Sequence, residues 1–225
     1  MILNIKKICK GIVVTSILAI NANATCITEK YCANAYFGVG GFYENINGNS
    51  ANVKNTGGFL AIGANDVFFN SFHYGADFKI GYGSNKLSGQ NLSTLSQNNA
   101  IGWLDVLTKF GFNISTSNSP LFVNFLFGGD YMFSNNGVGR MISYVGAGIE
   151  GVLAMSSSFR MTYSAGYGYG IGDAYLFGKQ SIKSILNGSN QLFMASLGTQ
   201  TKISENTSFY SKGFVKYLKS NTIRN

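Results

Sequence analysis

The single histidine of this chain is the best candidate for acid–base chemistry. His73 lies four residues before Asp77 in "FHYGADFKIGYG", residues 72–83, and a histidine near a carboxylate is a common acid–base pair. Apolar and polar residues alternate here, with both candidates on the polar positions, which is typical of a β-strand. A single histidine limits the catalytic options. We therefore expect His73 to be hydrogen-bonded inside the protein, and we do not predict an enzyme.

Two cysteines are also placed for chemistry. Cys26 and Cys32 lie six residues apart in "TCITEKYC", and in an oxidising compartment we expect them to form a disulfide that closes a small loop. A metal site needs more ligands than two thiols, and the histidine is far away in sequence. The sequence predicts neither a metal nor another cofactor.

A third pattern matches a nucleotide-binding motif in sequence but not in predicted structure. Gly146, Gly148 and Gly151 in "GAGIEG" fit G-x-G-x-x-G, and Asp173 follows at about the spacing of 20 residues that the motif requires. However, the segment alternates as a strand, and no helix is predicted after the glycines. We expect these glycines to allow close packing of backbones and large side chains.

The N-terminus predicts export. A basic segment, "MILNIKKICK", precedes the apolar run "GIVVTSILAI" and the small-x-small sequence Ala22-Asn23-Ala24, which together predict a signal peptide over residues 1–24 with cleavage after Ala24. Residues 25–225 then form a single domain. Removing Lys6, Lys7 and Lys10 lowers the formal charge from +8 to +5, and without a basic cluster we predict no nucleic-acid partner.

Alternation between apolar and polar positions recurs along the rest of the chain. It predicts nine strands, at 35–44, 56–65, 68–83, 101–114, 121–132, 141–154, 159–171, 191–202 and 208–218. We expect eight to ten strands and favour ten. The tenth would lie at 174–186, before the hairpin signal Asn187-Gly188.

The polar faces of these strands lack the charge density of a solvated sheet. Charged residues make up 12% of the chain, against roughly 25% in soluble domains. Glycines number 29 of the 225 residues, whereas roughly 7% is usual. A narrow, filled interior suits the charges of both signs on the polar positions, which are Asp77, Lys79, Asp105, Lys109, Asp130, Glu150 and Arg160. The apolar faces then contact lipid. The predicted fold is all-β, an antiparallel transmembrane β-barrel with a filled lumen, in which Trp103 is a packing residue.

The connections between strands support a membrane barrel. Long Asn/Ser/Gly-rich segments, including 45–55 and 84–99, alternate with short turns, as in barrels with long extracellular loops and short periplasmic turns. Four tyrosines on apolar positions near the loops predict an aromatic girdle: Tyr82, Tyr131, Tyr167 and Tyr169.

With "AYFGVGGFYE" at the start of the exported chain, repeated Gly/aromatic strands and Asn-rich loops, the sequence resembles small bacterial outer-membrane β-barrels of the OmpA and Opa type and Helicobacter-type outer-membrane proteins. The resemblance implies the Gram-negative outer membrane, with its lipid and lipopolysaccharide as partners. It does not by itself define a function.

Three functional classes are compatible with such a barrel. The first is a structural or surface-recognition protein, adhesin-like, whose loops contact a host or surface ligand. The second is a porin-like pore for small solutes, and the third is a barrel enzyme acting on lipid or peptide. Interiors of about eight strands are just filled by side chains, and ten add little room. We therefore favour surface recognition over the pore, and rank the enzyme last.

Overall fold

The computed structural model describes residues 10–20, 26–28, 31–32, 34–47, 51–68, 71–89, 98–115, 119–135, 139–176, 183–185, 190–204 and 207–219. Within these ranges the regular structure consists of strands: β1 (Lys10–Ile20), β2 (Cys26–Thr28), β3 (Tyr31–Cys32), β4 (Asn34–Asn47), β5 (Ala51–Phe68), β6 (Phe72–Gly89), β7 (Asn98–Asn113), β8 (Leu121–Ser134), β9 (Gly139–Ala154), β10 (Phe159–Leu176), β11 (Lys183–Ile185), β12 (Gln191–Ser204) and β13 (Thr207–Lys219). The described residues contain no helix long and apolar enough to span a membrane.

Nine long strands form one curled antiparallel sheet. From β4 to β10 each strand pairs with the next along the chain, and β10 continues to β12 and β13. Each of the nine segments predicted from alternation supplies a strand of this sheet, so the prediction of an all-β antiparallel fold is confirmed. The predicted start of the third strand at Phe68 is wrong, because Phe68 ends β5 and pairs with Phe72, the first residue of β6. β2 and β3 form a separate two-stranded hairpin, and β11 pairs only with Asp173–Tyr175 of β10.

Residues of the predicted signal peptide join the sheet as β1. This strand pairs antiparallel with β13 along its whole length and with β4 at five positions, so it lies between the first and last of the nine strands. Part of the tenth strand suggested at 174–186 lies outside the described residues. The described parts of that segment are the end of β10 and the three residues of β11.

The connections between paired strands define two ends of the sheet. The loop end is where β4, β6, β8 and β10 end and β5, β7, β9 and β12 begin, and the turn end is where β5, β7, β9 and β12 end and β6, β8, β10 and β13 begin. The strands extend into two of the segments predicted as long loops, 45–55 and 84–99. Asn residues within these segments belong to the strands, as Asn47 pairs with Asn52 and Asn85 with Asn99.

The two faces of the sheet have opposite character. In β6 the side chains of Phe78, Ile80 and Tyr82 are 41%, 54% and 71% exposed, whereas His73 and Asp77 are buried. Each of the nine strands contributes exposed apolar side chains to the outer face, including Phe37, Ile62, Ile80, Phe112, Phe125, Ile149, Ile171, Leu197 and Val215. Alternation along the chain thus becomes an apolar outside and a polar inside.

The interior also holds apolar side chains, gathered toward the loop end. One cluster surrounds Trp103, whose ring lies 5.0 Å from that of Phe42 and 5.4 Å from that of Phe59, and Phe214 packs against the cluster from β13. A second cluster joins Ile142, Tyr144, Leu192 and Leu218. These side chains come from strands on opposite sides of the curled sheet, so the sheet encloses a packed core.

Candidate functional site

A continuous set of ion pairs crosses the loop-end half of the interior. We call it the loop-end network, and it consists of Asn55, Glu44, Arg140, Asp130, Lys216, Asp105 and Lys79. Arg140 donates to Glu44 and, through Nη2 at 2.6 Å, to Asp130. Lys216 bridges Asp105 and Asp130. The members come from seven different strands, so the network ties the walls of the interior together.

Charge is balanced within this network. Its three acids, Glu44, Asp105 and Asp130, face three bases, Lys79, Arg140 and Lys216. Asp105 is fully buried and accepts from Lys79 Nζ at 2.6 Å as well as from Lys216. Burying such groups is tolerated only when each charge has a partner, and here every carboxylate has at least one cation.

Beside the loop-end network lies a cavity of about 50 Å³. Its lining combines side chains of the network with those of both apolar clusters, including Phe42, Trp103, Ile142, Leu192 and Phe214. Trp103 Nε1 donates to Asp130 Oδ1 at 3.3 Å, which anchors the ring at the cavity wall. Buried aromatic contacts give Trp103 the packing role predicted from the sequence.

A second set of polar contacts fills the turn-end half. We call it the turn-end network, and it joins Tyr36, Asp77, Lys109 and Glu150. Tyr36 donates its hydroxyl to Asp77, while Lys109 Nζ lies 2.6 Å from Glu150 and 3.8 Å from Asp77. These contacts join β4, β6, β7 and β9 and lie below the loop-end network along the strands.

His73 is held by contacts that do not suit an acid–base role. Its Nδ1 lies 2.8 Å from Asn124 Oδ1, and its ring stacks on Phe122 with centroids 4.5 Å apart. The side chain is fully buried. Asp77, the predicted partner, instead accepts from Tyr36 and faces Lys109. His73 therefore packs into the interior wall, as the sequence predicts.

Six of the seven predicted interior charges belong to these two networks. Lys79, Asp105 and Asp130 are in the loop-end network, and Asp77, Lys109 and Glu150 in the turn-end network. Arg160 lies at the start of β10, where its register neighbours are Ala154 and Gln200. It is partly exposed at the turn end of the sheet and belongs to neither network.

Sequence reasoning did not single out five members of the networks, one of which, Asn55, lies at the end of the segment 45–55 that was predicted as a loop. Glu44 ends the predicted strand 35–44, and Arg140 immediately precedes the predicted strand 141–154. Lys216 and Tyr36 lie inside predicted strands on inward positions. Alternation could have identified their face, but not the residues that they meet across the interior.

The four predicted girdle tyrosines lie on the outer face toward the loop end. Tyr82 is the most exposed of them, at 71%, and Tyr167 and Tyr169 are also exposed. Tyr131 is partly buried, and its hydroxyl lies 3.1 Å from Ser143 Oγ. Amphipathic rings at this height suit a membrane–water interface, so the aromatic girdle stays a prediction with compatible geometry.

The remaining candidate residues have plain structural positions. Cys26 and Cys32 are opposite each other in the β2–β3 hairpin, and their disulfide stays a prediction. Gly146 and Gly148 lie against the backbone of β10, where a Cβ would meet the carbonyl oxygens of Tyr167 and Ala165. Among the described residues, no three His, Cys, Asp or Glu side chains converge as a metal site would require.

Comparisons with known proteins give a likeness in structure. No family model matches the sequence, and no curated protein matches it. Among solved structures, the chain is similar to the translocator domain of the autotransporter NalP from Neisseria meningitidis, with a TM-score of 0.46 and 12% sequence identity. The match covers 96% of this chain and 89% of that chain.

Proposed function

We propose that this protein is an integral outer-membrane β-barrel with a filled interior, whose biological contribution is made at its loop end. The observation that carries the proposal is the inverted distribution of side chains. Apolar residues cover the outer face of all nine strands, while buried ion pairs lie inside. A soluble protein with an apolar band on every strand would aggregate, whereas lipid requires this arrangement.

The proposed bilayer environment also requires the sheet to be closed. A bilayer offers no water to backbone groups, so a spanning sheet must leave no open edge. In the structure the contacts already run round the interior, since β13 reaches β7 and β8 through Lys216 and reaches the β4–β5 cluster through Phe214. We propose a closed barrel of ten strand positions, in the outer membrane of a Gram-negative bacterium.

A filled interior favours surface recognition over transport. The loop-end network joins seven strands across the interior, and the turn-end network lies below it. Two layers of paired side chains leave little room for solute in a barrel this narrow. The proposed role is therefore adhesin-like, with outer-membrane lipid and lipopolysaccharide around the barrel and a host or surface ligand at the loops.

The membrane assignment is tested at Phe78, in the middle of β6. Phe78→Arg should lower the yield of folded protein in lipid vesicles, because a basic residue facing lipid near the midplane costs about 2–4 kcal/mol. Phe78→Leu is the matched control and should fold normally. Folding is measured by the heat-modifiable shift on SDS gels. Equal folded yields for the two variants would mean that this face does not contact lipid.

The role of the loop end is tested by exchanging connections. Replacing 90–97 with a tight turn should abolish adhesion to host cells or matrix while leaving the heat-modifiable band intact, since loops on a rigid frame carry recognition. Replacing 155–158 at the turn end is the control and should preserve adhesion. Loss of adhesion in both variants, or in neither, would contradict the loop-end role.

Two measurements examine the competing functions. In planar bilayers the native protein should show little conductance, and large steady openings would favour the pore. An enzyme predicts lipid or peptide hydrolysis that is lost in His73→Ala, whereas the surface-recognition proposal predicts that His73→Ala retains adhesion. Hydrolysis that vanishes with His73 would replace our proposal.

A further inference from the structure

The strand β1 differs in sequence pattern from the nine strands that it joins. Its residues, "KGIVVTSILAI", are apolar on both alternating sets of positions, whereas the other long strands place apolar residues mainly on one. Continuous apolar character is expected of the hydrophobic region of a signal peptide. On the signal-peptide prediction, the position that β1 occupies is vacated when the protein is exported.

Removing β1 leaves two strands that run in the same direction. β1 is antiparallel to both β4 and β13, so β4 and β13 are parallel to each other across it. Ser16 lies opposite Val39 on one side and Ser211 on the other. The two edges therefore present backbone groups in matching register toward a space one strand wide.

We propose that this space, which we call the seam, accepts an extended strand from another polypeptide segment, antiparallel to both β4 and β13 and about as long as the eleven-residue β1. The inference rests on the proposed membrane barrel, since edges in lipid must be paired. Strand addition to an exposed sheet edge is an established way for proteins to bind extended peptides. Here two edges would bind the same segment.

Packing inside the sheet opposes direct pairing of β4 with β13. With a strand between them, the ring of Tyr36 on β4 already lies 6.5 Å from that of Tyr210 on β13, and the ring of Phe59 on the neighbouring β5 lies 6.4 Å from that of Phe214 on β13. Drawing the edges together by one strand spacing, about 4.8 Å, would force these inward rings into each other. Parallel pairing is also slightly less stable than antiparallel pairing, and a nine-stranded barrel would break the even-number rule for bacterial barrels.

The inner side of the seam determines which residues the incoming strand needs there. Gly11 lies opposite Glu44 and Lys216, whose side chains reach inward to the loop-end network. Only a small residue fits between two such side chains without displacing them. The inward positions of the partner should therefore be glycine, alanine, serine or threonine.

The outer side calls for the opposite type of residue. The position of Ile12 lies between Tyr43 and Val215, which are 40% and 43% exposed on the lipid-facing side. An apolar side chain here would continue the outer apolar band. The partner is thus a segment with apolar residues alternating with small ones, and a one-residue shift in register would put every side chain on the wrong face.

Cysteine crosslinking tests the proposal on protein purified from outer membranes and refolded into lipid vesicles. In a Cys26→Ser/Cys32→Ser background, Val39→Cys and Ser211→Cys are each refolded with a synthetic alternating peptide that carries a cysteine at the position of Ser16. Both variants should form a disulfide with the peptide. Leu60→Cys, exposed on the same face but within β5, should not, and a peptide of the same composition with its apolar residues grouped should crosslink to neither edge.

A double variant addresses direct closure. Opposite Cα atoms in paired strands are about 4.5–5.5 Å apart, close enough for a disulfide, whereas a strand in between puts them about 9–10 Å apart. Without peptide, Val39→Cys/Ser211→Cys should therefore remain reduced. A disulfide between these two residues would overturn the proposal, as would absence of peptide crosslinks or a purified protein that retains residues 10–20. A missing heat-modifiable band would instead contradict the membrane barrel itself.

Discussion

Both halves of the interior contain buried ion pairs, but the groups that surround those pairs differ. At the loop end, Glu44, Arg140 and Asp130 lie beside aromatic rings and a cavity of about 50 Å³. At the turn end, glycines bring the backbone up to long side chains, so that a Cβ on Gly75 would lie 3.0 Å from Lys109 Cε. The loop-end half thus has spare volume and the turn-end half has little. A solute entering from the loop end would therefore meet a layer of packed polar groups in the turn-end half.

The largest effect is expected from Asp105, which holds two cations of the loop-end network. Asp105→Asn should lower the free energy of unfolding by about 3–5 kcal/mol, because it leaves Lys79 and Lys216 buried without this carboxylate. Urea titration in lipid vesicles measures the change. Asp66→Asn, a partly buried turn-end residue that accepts a hydrogen bond from the Val67 amide, is the control. A loss no greater than that of the control would show that the network adds little stability.

A somewhat smaller loss is expected from Lys109 in the turn-end network. Lys109→Met should cost about 3 kcal/mol, the lower end for a broken buried pair, because the Glu150 side chain is 21% exposed and water can reach it. The same urea titration gives the value. Adding Glu150→Gln should restore part of the stability, since the unpaired acid is removed. Strictly additive losses would mean that the two residues do not interact.

Gly63 tests how tightly the turn-end half is packed. A Cβ at this position would lie 2.5 Å from Tyr36 Cε1, so Gly63→Ala should displace the ring that bonds Asp77 and cost about 1–3 kcal/mol. Gly102 is the matched control, because an added Cβ there meets nothing within 4 Å. Equal unfolding midpoints for Gly63→Ala and Gly102→Ala would show that Tyr36 can move freely.

The smallest effect is expected where the interior has room. Ile142→Phe enlarges a buried side chain that lines the loop-end cavity, and it should change the free energy of unfolding by less than about 1 kcal/mol, since the added volume has space. Urea titration beside Gly63→Ala gives the contrast directly. A larger loss for Ile142→Phe than for Gly63→Ala would reverse the comparison between the two halves.

Local alternation accounts for most of what the sequence predicted. Alternation put Phe78 and Asp77 on opposite faces, and the sparse charges of both signs on the polar face indicated that this face lies inside. The strand ends were harder to predict. Asn and Ser residues such as Asn47 and Asn85 favour loops locally, yet both pair across the sheet because the neighbouring strand extends as far.

Partners across the interior could not be predicted from alternation. Parity puts Lys216 and Asp105 on inward positions, but only the curvature and register of the whole sheet bring them together.

The sequence of residues 10–20 allows two interpretations. Their β-branched, apolar sequence suits both a signal peptide and a strand, and in the structure the strand form pairs with both edges of the sheet.

The loop-end network also has a consequence for the order of assembly. Glu44 and Arg140 are 96 residues apart in sequence, and Asp105 and Lys216 are 111 apart. Contacts of such high sequence separation form late and slow the folding of β proteins. Until β13 arrives, Asp105 and Asp130 lack the ammonium group that bridges them. The loop-end network therefore reaches charge balance only when β13 joins the sheet, because without Lys216 its three acids face two bases.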